Sequence, residues 1–282
     1  MFVAFYVKKL NIVIDTANIM HYNVDTLKNK NKRKEDKTMK KILALVLAMI
    51  MTVCCLASCG AGNGNQLVMA TNAEFPPYEF MEDGKIVGID AEIAQAIADK
   101  LGKELVIENV DFDSIIVGVQ QGKYDFAMAG LTVTEDRKEQ VDFTETYATG
   151  KQVIIVAEGS DVTIDNLGEK MIGTQRATTG YIYASDDYGE DHVTAYDNGA
   201  TAVQALKNGQ VNCVIIDNAP AQEYVKANPG LKILETEYVI EDYAIGVDKN
   251  NAQLLDAINA ALTELTNDGT IQSILDKYIT AE

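Results

Sequence analysis

Tryptophan is absent from the 282 residues, and there are only two histidines, four cysteines and four prolines. Each scarcity excludes something. His21 precedes a long uncharged run and only His192 follows it, which argues against a histidine-built zinc or catalytic centre. Cys54 and Cys55 fall inside that run, leaving Cys59 and Cys213. Cys213 sits in the apolar stretch VNCVII and reads as a lone buried thiol, so neither a disulfide framework nor a metal site is expected. No Ser-His-Asp or Cys-His arrangement supports chemistry, and no cofactor is called for. Basic residues are scarce too, 24 Lys and Arg against 42 Asp and Glu. After residue 58 the balance is 14 against 38, a net charge of −24, and the only arginines are Arg137 and Arg176. A chain this acidic lacks the basic face that nucleic acid requires.

What is present divides the chain. Residues 1–41 carry 10 basic and 4 acidic side chains, and residues 42–58, ILALVLAMIMTVCCLAS, carry no charge. A basic stub, an apolar run of 17 and a small-residue end fit a secretory signal over 39–58 better than a membrane span, which needs about 20 apolar residues. An uncleaved anchor helix is the alternative. Leu56-Ala57-Ser58-Cys59 resembles the lipobox of bacterial lipoproteins, which implies lipidation of Cys59 and a flexible tether over 59–65. Residues 1–38 fit poorly in front of a signal, because MKKILALVLAM from Met39 is itself a complete beginning. Lys34-Glu35-Asp36 can be encoded with an AGGAGG ribosome-binding sequence about eight nucleotides before the Met39 codon, so 1–38 is expected to be an upstream extension.

From residue 66 strand and helix signals alternate. QLVMAT reads as a strand, followed by the loop NAEFPPYEF, which holds half of the prolines and three aromatics. By itself this loop is either a rigid turn or a binding element. Asp90 is expected to cap a helix through Lys100 with Ile93, Ile97 and Leu101 on one face. ELVIEN, a helix over 113–121 and the strand DFAMAG complete a β-α-β-α-β order. A second unit follows: QVIIVA, KMIGT, a helix over 179–186, HVTAY, a helix over 200–207, VNCVII, a helix over 218–227 and LKIL. YAIGV precedes a long amphipathic helix with Leu254, Leu255, Ile258, Leu262 and Leu265 on one face. Asn267-Asp268-Gly269 breaks it before a last helix. Two such α/β units point to two lobes with a cleft at strand ends.

NAEFPPYEF, AGLTVTEDR (129–137), GTQRATTG (173–180) and IIDNAP (215–220), in that order and behind a lipobox, resemble the family 3 solute-binding proteins of bacterial amino-acid ABC transporters. The resemblance extends from the YEFMEDGKIVGIDAEIAQAIADKLGKE opening to DGTIQSILDKYI near the end. It implies a periplasmic-binding-protein-like type II fold, two α/β lobes joined by two crossover strands with the ligand cleft between them. On this reading 66–148 with 240–282 form lobe 1 and 149–239 form lobe 2. It further implies an extracytoplasmic monomer, lipid-anchored to the outer face of the membrane. Such a protein closes on a free L-amino acid and passes it to permease subunits; the side-chain residues named below lead us to expect a polar or basic one. A dehydratase on the same fold, cyclohexadienyl dehydratase-like, is the alternative; it would need a general acid or base in the cleft, for which Glu79 is the candidate.

A zwitterionic amino acid needs an anion site and a cation site a few ångströms apart in a dry cleft. Arg137 suits the first, since a guanidinium grips a carboxylate bidentately. In the family this arginine holds the α-carboxylate, helped by the residues matching Thr132 and Thr178. A surface arginine paired with Glu135 or Glu139 is the alternative. Asp217, ending an apolar strand, matches the aspartate that binds the α-ammonium, though it is also placed to cap the next helix. Phe75 and Phe112 match the positions whose rings sandwich the ligand side chain, with Phe112 otherwise a core residue. Asn72 and Glu79 border the end of that side chain, and Ala129, Gly130, Gln175 and Thr179 complete the implied contact set. The sequence departs from the family at Ala177, where many relatives have glycine, and at Arg176, where they have an uncharged residue. Arg176 is expected to point to solvent unless an acidic ligand side chain engages it.

Overall fold

Short apolar strands flanked by polar turns and amphipathic helices must bury one face each, and here they do so in two large sheets beside a small three-stranded one. The computed structural model describes residues 65–234 and 238–279; the upstream extension, the signal run, Cys59 and all of the tether but Asn65 lie outside them. In the first sheet the order is Glu104–Asn109, Gln66–Thr71, Phe126–Ala127, Gly246–Val247, Asp142–Phe143. Gln66–Thr71 runs parallel to both its neighbours, with Leu67 opposite Leu105 and Met69 opposite Phe126. Gly246–Val247 is antiparallel to the strands on either side.

The second sheet is ordered Val193–Tyr196, Ile172–Gln175, Cys213–Asp217, Ala148–Ala157, Leu231–Ile233, with Val239–Tyr243 also paired to Ala148–Ala157. Ala148–Ala157 is the long member. Its first half lies antiparallel to Val239–Tyr243, and its second half pairs with Cys213–Asp217 and Leu231–Ile233. The chain leaves the first sheet after Phe143 and re-enters it at Gly246, so these two antiparallel strands carry both crossovers. The architecture is the type II periplasmic-binding-protein fold.

Helix Ile89–Lys100 buries Ile89, Ile93, Ala94, Ile97 and Ala98 on its inner face, as the spacing requires. Asp90 does not cap it. The N-cap is Gly88, without a side-chain cap, and Asp90 is drawn wholly inside. The region 113–121 is a 3-10 turn, Phe112–Ser114, leading into helix Ile115–Gln120. Helix Ala252–Asn267 buries Ile258, Ala261, Leu262 and Leu265, while Leu254 and Leu255 pack at its margin. Gly269 at φ 83 permits the reversal into helix Thr270–Tyr278. Cys213 is a free, buried thiol whose burial pushes its pKa up to about 12.

Candidate functional site

Both sheets end at one cavity of about 310 Å³, part of it open to solvent. All twelve residues expected to touch a ligand border it. Asn72, Phe75, Glu79, Phe112, Ala129, Gly130, Thr132 and Arg137 come from the first unit, and Gln175, Thr178, Thr179 and Asp217 from the second.

The opening loop is held by a small hairpin sheet of Glu74–Phe75, Glu79–Glu82 and Lys85–Val87. Phe75 is buried against Gly130, which adopts φ 51. A Cβ at Gly130 would lie 2.9 Å from the Phe75 ring, so both backbone geometry and space require glycine there. Asn72 Nδ2 donates to the Val110 carbonyl (2.9 Å), and its Oδ1 accepts from Gln175 Nε2 (3.0 Å). Asn72 and Gln175 thus latch the units together across the cavity, a use of the amide that the sequence does not reveal. Tyr224 adds a second tie, its hydroxyl donating to the Glu74 carbonyl (2.9 Å).

Arg137 is buried, only 6% exposed. Thr134 caps the one-turn helix Glu135–Lys138 by accepting from the Arg137 backbone N–H. The guanidinium donates to the Thr132 carbonyl (2.8 Å) and, across the cavity, to the Ala177 carbonyl (3.1 Å). It also lies 5.5 Å from the Phe112 ring centroid, a cation–π arrangement. Phe112 therefore backs the arginine as well as bordering the cavity and packing against the core. No carboxylate forms an ion pair with Arg137 among the described residues, and Glu135 is taken by Lys138 instead. Burial lowers the guanidinium pKa, opposed by the charges of Glu241 and Asp217.

Ala177 adopts φ 60, the left-handed conformation that the family's glycine takes readily and that costs alanine roughly 1 kcal/mol. Its carbonyl accepts from the Arg137 guanidinium, which helps to hold the loop in this conformation. Thr178 caps helix Thr179–Tyr188, accepting from Tyr181 N–H and donating to the Gln175 carbonyl (2.8 Å). This places a helix N-terminus, whose free N–H groups favour anions, at the wall of the cavity that faces Arg137. Arg176 is exposed and pairs with Asp197 at 3.0 Å, away from the cavity lining.

Asp217 is also 6% exposed and ends strand Cys213–Asp217. It occupies the N-cap position of helix Asn218–Ala227 but makes no side-chain cap. Its carboxylate accepts instead from the Tyr243 hydroxyl. Burial, and then the charge of nearby Glu241, raise its pKa to about 8.

Several residues behind the lining are not legible as site residues. Gln152 and Glu241 come from the paired crossover strands. Glu241 accepts from Gln152 Nε2 (2.9 Å) and Thr132 Oγ1 (3.2 Å). Tyr243 reaches Asp217 from the same strand as Glu241. Asp90, fully buried, accepts from the Gly130 N–H (2.8 Å) and the Tyr147 hydroxyl (2.9 Å). The only signal for these in the sequence is a polar side chain at a core position of an apolar stretch.

Comparison with known proteins bears on the family and the fold. The model of the bacterial extracellular solute-binding proteins, family 3, matches residues 67–281. The ABC transporter arginine-binding protein 1 of Escherichia coli K12 is 32% identical over 225 residues, 78% of this chain and 93% of that protein. An ancestral arginine-binding protein bound to glutamine superposes with a TM-score of 0.73 at 41% identity, covering 77% of this chain and 99% of that one. An ancestral arginine-binding protein bound to arginine gives a TM-score of 0.72 at 42% identity, covering 76% of this chain and 98% of that one. Fold, cavity and matched length together place this chain in the bacterial extracellular solute-binding proteins of family 3.

Proposed function

We propose that the chain is the extracytoplasmic substrate-binding component of an ABC transporter, capturing a free polar or basic L-amino acid by closure of its two lobes. One observation carries this. The cavity holds a buried guanidinium and a buried carboxylate, Arg137 and Asp217, neither of which forms an ion pair among the described residues. An α-carboxylate at Arg137 and an α-ammonium at Asp217 would satisfy both, and free amino acids carry the two groups on one carbon. The names of the relatives support this class of ligand, and they are binding proteins rather than enzymes. Binding without turnover is accordingly the reading adopted, with Glu79 in the side-chain subsite.

The side-chain end is bordered by Phe75, Phe112, Asn72 and Glu79, with Arg176 engaged elsewhere by Asp197. Aromatic faces and an acidic group suit an aliphatic stem, an amide or a cation, and oppose a second carboxylate. Glutamine, cystine, arginine or lysine is therefore expected to bind more tightly than glutamate or aspartate. A thermal-shift screen of the common amino acids, ornithine and cystine, followed by displacement at fixed pH and salt, checks this through ligand linkage. Glutamate or aspartate as the best ligand would overturn the side-chain assignment.

Anchorage is part of the same reading. Cleavage before Cys59 with lipid on that cysteine would keep the protein at the membrane, two or more acyl chains holding where one is marginal. Cys59→Ala should release it into the medium or periplasm. Unchanged membrane association of that variant would sink the anchor.

A further inference from the structure

The side-chain end of the cavity carries a feature that the α-group clamp does not explain. Glu79 borders the cavity yet is 0% exposed, and neither carboxyl oxygen has a partner that a carboxylate can accept from. Beside it, within side-chain hydrogen-bonding reach, lies Asp90, also 0% exposed. Asp90 is well supplied with donors, the Gly130 N–H and the Tyr147 hydroxyl. Two ionised carboxylates cannot hydrogen-bond to each other. A proton on one of them removes their repulsion, and the member without other donors is Glu79.

We propose that Glu79 and Asp90 form a hydrogen-bonded acid pair that keeps one proton when the bound amino acid has a neutral side chain and gives it up when that side chain is a cation. This rests on the amino-acid reading above and deepens it. With a neutral ligand the proton stays between the two acids, and the pair carries a single charge. With a guanidinium or ammonium, the O–H bond of Glu79 breaks, the proton passes to buffer, and the ligand's N–H donors take its place. One side chain then serves neutral and basic ligands alike.

The surroundings fit. Burial, followed by the charge of Asp90, raises the pKa of Glu79 well above the usual carboxylate range. Asp90 is raised to about 6 by burial, against the hydrogen bond from Gly130 and those with Glu79 and Tyr147. The other groups facing Glu79 are the phenols of Tyr78, Tyr147 and Tyr224 and, across the cavity, Asp217. These phenols are themselves pushed upward by burial and stay neutral. Arg137, bordering the same cavity, is committed to Thr132 and Ala177.

Arginine and citrulline share their α-groups and shape but differ in side-chain charge, so any proton lost from Asp217 is common to both. Calorimetric titration of the whole protein near pH 6.5, in buffers of different ionisation enthalpy, counts the protons released. Arginine is expected to release about one more than citrulline or glutamine. Glu79→Gln, with no proton to give, should release equal numbers for all three. Equal counts for the wild type would overturn the proposal, and this comparison decides even if the variant does not fold. Heat from glutamine but none from arginine overturns it as well. No heat from any of the three overturns the proposal, and the absence of any stabilising amino acid in the thermal-shift screen as well removes the amino-acid reading itself.

Discussion

Arg137→Ala is expected to weaken amino-acid binding by about 2–5 kcal/mol, roughly 30-fold to several thousandfold, with the protein still folded. The size follows from what is left behind. The ligand carboxylate would enter a nearly dry cavity without its partner, and the carbonyls of Thr132 and Ala177 would lose the donors that hold them at 2.8 and 3.1 Å. Because one of those carbonyls lies on each side of the cavity, the substitution also removes a tie between the units. Arg137→Lys tests the geometry separately from the charge. An ammonium cannot span both carbonyls and grip a carboxylate bidentately, so lysine should restore only part of the loss. Calorimetry with the best ligand measures both variants, and thermal melting confirms the fold. Binding within threefold of wild type for Arg137→Ala would make the anion-site assignment wrong.

Why Arg137 is legible in the sequence, while much of its support is not, has a physical explanation. Arginine occurs twice after residue 58, and this one follows an apolar strand and a threonine-rich turn. A charge there must be either at a mouth or on the surface, and few alternatives remain. Asp217 is legible for the same reason at the end of VNCVII. Phe75 is readable through its prolines, which mark a loop too stiff and aromatic to be filler. Asp90 is misread because its local pattern, an acidic residue before an amphipathic run, is also that of a helix cap. Only the approach of Gly130 and Tyr147 from far along the chain makes it a buried acceptor. Likewise Gln152, Glu241 and Tyr243 sit on crossover strands whose pairing is a tertiary fact. The split of YAIGV between two strands, Val239–Tyr243 and Gly246–Val247, belongs to the same class, since the chain changes sheet there. The alternation of elements needs only local information, whereas partners across two sheets do not declare themselves in any window.

Asp217→Asn is expected to cost binding a similar 2–5 kcal/mol, and to do something to the ligand-free protein that Arg137→Ala does not. An aspartate in open water is almost fully ionised at neutral pH, but where the two units meet around it burial raises the pKa of Asp217 to about 8. The sign follows from linkage. A carboxyl whose pKa is raised by closure favours the closed form fully below its ordinary value near 4, and that contribution fades as pH rises towards 8. Closing without ligand at neutral pH therefore requires either taking up a proton or burying a bare charge beside Glu241. A ligand ammonium removes that penalty, which couples closure to occupancy. Asparagine has the same shape, can still accept from Tyr243, and has no charge to bury. The ligand-free variant should close more readily than wild type at pH 7, and its closure should lose the pH dependence that wild type shows between about pH 4 and 8. Spin-label or fluorophore distances across the cavity, measured without ligand over that range, read this directly. Identical distances and identical pH profiles for the two proteins would show that Asp217 senses the ligand without governing closure.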